Sequence, residues 1–190
     1  MNHFGNAKEE LTSLQQHFGA GNQIEFLYFW RHLPESDSDA DRSCLSQWHD
    51  SGFEIGKIRY ATAEHWMMAS KARLFGDRDV LEEILQTKDP CKAQSLGRTV
   101  KRFSPDVWKQ ESVRIVFQGN LCKFQQNVSL RNYLLTTGDK VLVEASPHDP
   151  IWGVGLGEND SSIGNPFLWR GVNQLGFVLM AVRHAIRSEA

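Results

Sequence analysis

Several features of this sequence inform by their scarcity. Cysteine occurs three times in 190 residues, as Cys44, Cys91 and Cys122. An odd number of widely spaced thiols in apolar or helical surroundings argues against a disulfide framework and for a reducing compartment, the cytoplasm or the nucleus. No stretch reaches the eighteen or more apolar residues of a membrane span, and Met1 to Asn22 lack the apolar centre of a secretory signal, so no membrane partner is expected. Neither sign of charge prevails. A formal net charge of -2 gives no general attraction to phosphate backbones, so any nucleic-acid contact must be local. The seven histidines form no HExxH pattern and no Cys/His pair at ligand spacing; no metal and no cofactor are expected. A Gly-x-Ser-x-Gly elbow, a Walker loop and a dinucleotide fingerprint are missing too, because Gly153-Val154-Gly155-Leu156-Gly157 does not sit between a strand and a helix. The chain contains no internal repeat and no low-complexity tract.

What is there suits one ordinary core. With 41% hydrophobic and 23% charged residues, 190 residues predict a single domain, expected to be a monomer. Ala7 to Phe18 suits a short polar helix, broken by Gly19-Ala20-Gly21-Asn22, so residues 1–22 read as an appendage to a domain spanning 23–190. Ile24 to Trp30 reads as a buried strand followed by an acidic surface loop, and Phe53 to Tyr60 as a hairpin turning at Gly56-Lys57. Thr62 is placed to cap a helix running to about Phe75, closed by Gly76. Further helices are predicted at 78–87, at 90–97 behind Asp89, at 105–124 behind Ser104, at 128–136 and at 171–187, with a strand at 140–145. Between Ser146 and Arg170 lies a long aperiodic stretch rich in Gly, Pro, Asp and Trp, and loops of that length are functional or disordered; its tryptophans favour function. The balance predicts a mainly helical α+β fold with a small sheet.

The helix after Thr62 places Glu64, Met68, Lys71 and Phe75 on one stripe. Glu64 and Lys71 stand about 10 Å apart along the axis, too far for an ion pair but suited to gripping a ligand. The plain alternative is two solvated charges on an amphipathic helix. In the long loop, Asp149 lies close to Trp152, an acid near a flat indole that could stack a base; the alternative is an Asp-capped turn with a covering Trp. Arg98, at a predicted helix end, could meet phosphate or simply complement the helix dipole. Trp108 occupies an ordinary amphipathic position, and no base accompanies Cys91 or Cys122, so a thiol nucleophile has no support.

An ordered series of segments resembles the NADAR family, named for its association with NAD and ADP-ribose, from about Phe26 to Arg187. It comprises Phe29-Trp30, Leu45-Ser46-Gln47-Trp48, Tyr60 through Ala72, Phe75-Gly76-Asp77, Leu96-Gly97-Arg98, Trp108, Lys123-Phe124, Leu142-Val143-Glu144, Asp149 through Gly155, Trp169 through Asn173 and Leu175-Gly176. The chain departs from the family's pattern at Leu45, where many relatives carry Phe, and at Ser70, where the family often has Gln or Glu. The resemblance implies hydrolysis of a bond between ribose C1′ and nitrogen. Glu64, Lys71 and Asp149 would be the catalytic residues and Trp30, Arg98, Trp108, Trp152 and Asn173 the substrate-binding ones. It also makes credible a Schiff base between Lys71 and C1′ of a ring-opened sugar, with Lys92 and Lys123 as the next candidates. The expected substrate is ADP-ribosylated guanine, in nucleic acid or as a nucleoside, favoured because the chain stands alone without a riboflavin-synthesis domain. A ribose-phosphate intermediate of early riboflavin synthesis is the alternative, and a sensor that binds ADP-ribose or NAD without turnover is a third reading.

Overall fold

The computed structural model describes residues 6–35 and 40–189. Seven helices appear among them: α1 (Ala7–Gly19), α2 (Ala63–Leu74), α3 (Arg78–Gln86), α4 (Pro90–Arg98), α5 (Pro105–Gln126), α6 (Val128–Thr136) and α7 (Gln174–Ser188). The strands are β1 (Phe26–Phe29), β2 (Phe53–Ile55), β3 (Ile58–Tyr60) and β4 (Val141–Glu144), and two short 3-10 turns cover Arg42–Leu45 and Pro166–Leu168. The architecture is the mainly helical α+β one expected.

Its boundaries follow local chemistry. Thr62, Asp77, Asp89 and Ser104 each accept a hydrogen bond from a first-turn N–H of α2, α3, α4 and α5 respectively, and Pro90 and Pro105 occupy first-turn positions where no N–H is needed. In the β2–β3 hairpin Ile55 faces Ile58, which leaves a two-residue loop with φ of 60° at Gly56 and 64° at Lys57. Two left-handed residues in sequence are the turn that matches strand twist, here with lysine in the second place.

β1 and β4 pair in parallel, with Phe26 opposite Val141 and Phe29 opposite Glu144. Alternation along β4 sends Leu142 into the helical core and Val141 and Val143 into a second apolar cluster with Val154, Leu156 and Ile163. The 146–173 segment is therefore a packed part of the domain. It folds back on the sheet through Val154 N–H to Glu144 C=O (3.0 Å), Arg170 N–H to Val154 C=O (2.9 Å) and Asn173 N–H to Gly153 C=O (3.0 Å).

The centre of the molecule is α2. Every residue from Ala63 to Ser70 is buried, so the amphipathic helix with solvated charges is not what forms. α3, α4 and α5 pack around it. Close approach requires glycine at two points: a Cβ on Gly97 of α4 would strike the Met68 side chain, and one on Gly119 of α5 would strike the Trp66 indole. Trp66 Nε1 then donates to Ile115 C=O at 2.7 Å. Within the expected appendage, α1 makes contacts with the rest of the domain. α1 lies against the Pro166–Leu168 turn and α7, with Phe18 edge-on to Phe167 and Gln15 donating to Pro166 C=O.

Candidate active site

β1 and β4 end side by side, and beyond their carboxyl ends opens a cavity of about 940 Å³. This is where parallel strands ordinarily present ligands, because the backbone stops and loops take over. Of the residues expected at the site, Glu64, Lys71, Asp149, Trp30, Arg98 and Trp152 all line it. α2 supplies the first two, α4 the guanidinium, the end of β1 Trp30, and the loop after β4 the remaining pair.

Four carboxyls line this cavity: Glu64, Asp149 and Glu144, and Glu35, which is paired with Arg42. Glu64 is 5% exposed. Burial pushes its carboxyl up to about 7, opposed by a hydrogen bond with the Gln94 side chain; the Asp149 charge raises it further, while Arg98 and Lys71 favour the ionised form. Arg98 in turn donates to Gln94 Oε1 at 2.9 Å, so α4 presents a guanidinium–amide–carboxyl relay. Burial drives Glu144 to about 8, helped by the charges of Asp149 and Glu64. Asp149 is differently placed. Its Oδ1 accepts from the N–H groups of Ile151 and Trp152, both at 2.8 Å, so the capped-turn alternative and a place on the cavity wall hold together.

Lys71 is half-buried, with Nζ 4.2 Å from the centre of the Phe103 ring and 5.6 Å from Trp108. Desolvation on this aromatic shelf, then the Arg98 charge, lower its affinity for a proton, and Glu64 opposes them. Trp108 therefore backs the lysine from behind and does not line the cavity. Asn173 is off the wall as well, with no exposed surface. Its amide is consumed by β4: Nδ2 donates to Leu142 C=O at 2.8 Å and Oδ1 accepts from Glu144 N–H at 3.0 Å. Direct substrate contact is thereby closed to it, and its effect on the site runs through the strand end.

Other wall residues come from Ser46, Gln47 and Trp48. A buried polar network holds this segment: Lys123 Nζ donates to Ser46 C=O (2.9 Å), Asn120 Nδ2 to Gln47 Oε1 (2.8 Å) and Glu64 N–H to Gln47 C=O (3.0 Å). Lys123 is wholly buried and burial brings it down to about 8, yet it does not line the cavity. Lys92 is an exposed residue of α4 that is also off the wall. Cys44 beside Lys123 is buried and pushed up to about 12, in keeping with an inert thiol.

Glu144 and Gln94 are among the wall residues that site reasoning from sequence missed. For Glu144 the signal was available: it shares the inward register of Leu142 and ends a strand buried on both faces, where a charge has no packing role. Gln94 was missed because a glutamine four residues before an arginine on a helix is unremarkable without its neighbour Glu64. Among the described residues no three His, Cys, Asp or Glu side chains are grouped to hold a metal ion, these carboxyls included. Among them, too, no helix is long and apolar enough to cross a membrane.

Comparison with known proteins gives the arrangement a family. The NADAR domain model matches residues 28–187. An N-glycosidase of Acanthamoeba polyphaga mimivirus is 45% identical over 73% of this chain and 85% of its own length. An N-glycosidase of Nostoc punctiforme is 33% identical over 76% and 86% respectively. The NMR structure of the E. coli protein YbiA superimposes with a TM-score of 0.70 at 25% identity, covering 88% of each chain. Likeness to N-glycosidases of that identity and coverage makes the chain a glycosidase of the hydrolase class. Through the model match, the shared fold and these relatives, the chain belongs to the NADAR domain family.

Proposed function

We propose that the chain hydrolyses the C1′–N bond of ADP-ribosylated guanine, as a nucleoside or in nucleic acid. The observation that carries the reading is one cavity whose wall combines the carboxyls Glu64, Glu144 and Asp149 with the indoles of Trp30, Trp48 and Trp152 and the cations Arg31, Lys71 and Arg98. Breaking a glycosidic bond to nitrogen builds positive charge at C1′, which a carboxylate stabilises, while guanidinium groups suit phosphate and indoles suit a base. A volume near the upper end of small-molecule sites favours a dinucleotide-sized ligand over a single ribose phosphate.

In this reading Glu64 stabilises C1′ and takes the proton of the attacking group, Asp149 holds the sugar, Arg98 holds phosphate and Trp152 stacks. The attacking group is water or the Lys71 amine, whose burial and the nearby Arg98 charge favour the neutral, nucleophilic form. Relatives called riboflavin biosynthesis protein PYRR, such as that of Zea mays at 35% identity over 67% of this chain and 20% of their own length, keep the ribose-phosphate alternative in view. Incubation with ADP-ribosylated guanosine and with phosphorylated early riboflavin intermediates separates the two. Release of ADP-ribose and intact guanosine from the former alone is the expected result, and sugar release from the latter alone overturns it. Borohydride added during turnover traps a covalent adduct if Lys71 attacks C1′; an equal adduct in Lys71→Ala removes Lys71 from that role.

A further inference from the structure

The roles above leave the departing nitrogen without a proton source. Glu144 ends β4 on the cavity wall, and its Oε2 is buried with no hydrogen-bond partner among the described residues. An ionised carboxyl oxygen left bare in this way is far more costly than a neutral acid holding its proton for an incoming ligand. Its backbone is pinned. The N–H donates to Asn173 Oδ1 at 3.0 Å and the C=O accepts from Val154 N–H at 3.0 Å, while its neighbour Ala145 donates to Phe29 C=O at 2.9 Å.

The carboxyls of Glu64, Asp149 and Glu144 are held in different environments. Glu64 has the Gln94 hydrogen bond and the nearby charges of Arg98 and Lys71 to favour ionisation, and Asp149 has two backbone N–H donors. Glu144 has neither kind of support and feels the negative charges of both other acids. Arg31, His32 and Glu35 line the same cavity as the remaining charged or titratable groups. Carboxyls in surroundings this unequal, one with partners that favour its charge and one without, can divide acid from base.

We propose that Glu144 is the general acid of the reaction, giving its proton to the nitrogen as the C1′–N bond breaks. The proposal rests on the N-glycosidase reading. The electron pair of the broken bond leaves with nitrogen, which takes the Glu144 proton. A water oxygen bonds to C1′ and passes its proton to Glu64, and transfer from Glu64 to Glu144 restores the starting state. If Lys71 attacks first, its nitrogen takes the place of water at C1′, and hydrolysis of the C1′–Nζ linkage consumes the water instead.

The test compares wild type with Glu144→Gln on ADP-ribosylated guanosine across pH, and reads the carboxyl of Glu144 directly in the wild-type protein by 13C NMR titration. Support is a fall in kcat of roughly 100-fold or more with loss of the alkaline limb of the pH profile, together with a wild-type Glu144 carboxyl still protonated at about pH 7. The proposal is overturned if kcat stays within about threefold, if the alkaline limb persists in the variant, or if Glu144 is ionised at about pH 7 in the wild type. The titration needs no substrate. Should wild type release no base or sugar from any N-glycoside offered, the functional reading falls, while an ionised or protonated Glu144 still separately overturns or supports its capacity to act as the acid.

Discussion

At the scale of single residues, Glu64 shows how a site can work against the stability of its own fold. The folded protein binds the Glu64 proton more tightly than the unfolded chain does, since its carboxyl lies at about 7 against an ordinary 4.5. Stability is therefore unaffected by this group at low pH and declines as pH climbs through that window, where burial begins to cost charge. Glu64→Gln removes the cost. At about pH 8 the variant should resist urea better than wild type by on the order of 2 kcal/mol, the gap narrowing toward about pH 5, while turnover falls roughly 100-fold or more. Urea midpoints measured against pH check the first part; a gap that is absent or of opposite sign would contradict a buried, destabilised carboxyl. Gain of stability with loss of turnover is the pattern expected where burial serves chemistry.

Among elements, the join of β4 to α7 governs how well Glu144 is placed. Asn173 sits left-handed at φ 54° and ties the start of α7 to Leu142 and Glu144 with its side-chain amide. Asn173→Ala loses both bonds and the tolerance for that backbone, and should cost about 2–4 kcal/mol in chemical denaturation. Asn173→Gly keeps the backbone freedom alone, so it should recover about 1 kcal/mol of the loss. Equal costs would mean that backbone strain contributes nothing. Sequence pattern located most elements here, because caps such as Thr62 and Asp89 and the Gly56-Lys57 turn act over a few residues. It was misleading for α2. Glu64 and Lys71 look like surface charges by periodicity, yet Gly97 and Gly119 let α4 and α5 close over the helix, and those contacts join parts of the chain that no local pattern relates.

For the whole molecule, α1 provides the test of how far the domain extends. Its contacts are with the 166–168 turn, α7 and, through Leu14, the second apolar cluster, and none of its residues lines the cavity. Removing residues 1–22 should lower Tm by about 2–6 °C, the loss expected for one or two kcal/mol in a chain of this size, with KM and kcat close to wild type. A loss of folding on truncation would instead make α1 part of the core. The sequence by itself determined the helix-rich composition, the capped boundaries and, through the order of its motifs, the family and the candidates Glu64, Lys71 and Asp149. Those properties are local or cumulative along the chain. Tertiary structure alone decided which candidates meet: it placed Trp108 behind Lys71 and Asn173 behind β4, and it brought Glu144 beside Glu64, residues 80 positions apart in number but on one cavity wall. The reason is physical. A proton affinity or a contact depends on what surrounds a group in space, and burial around the ends of β1 and β4 is set by packing between distant segments.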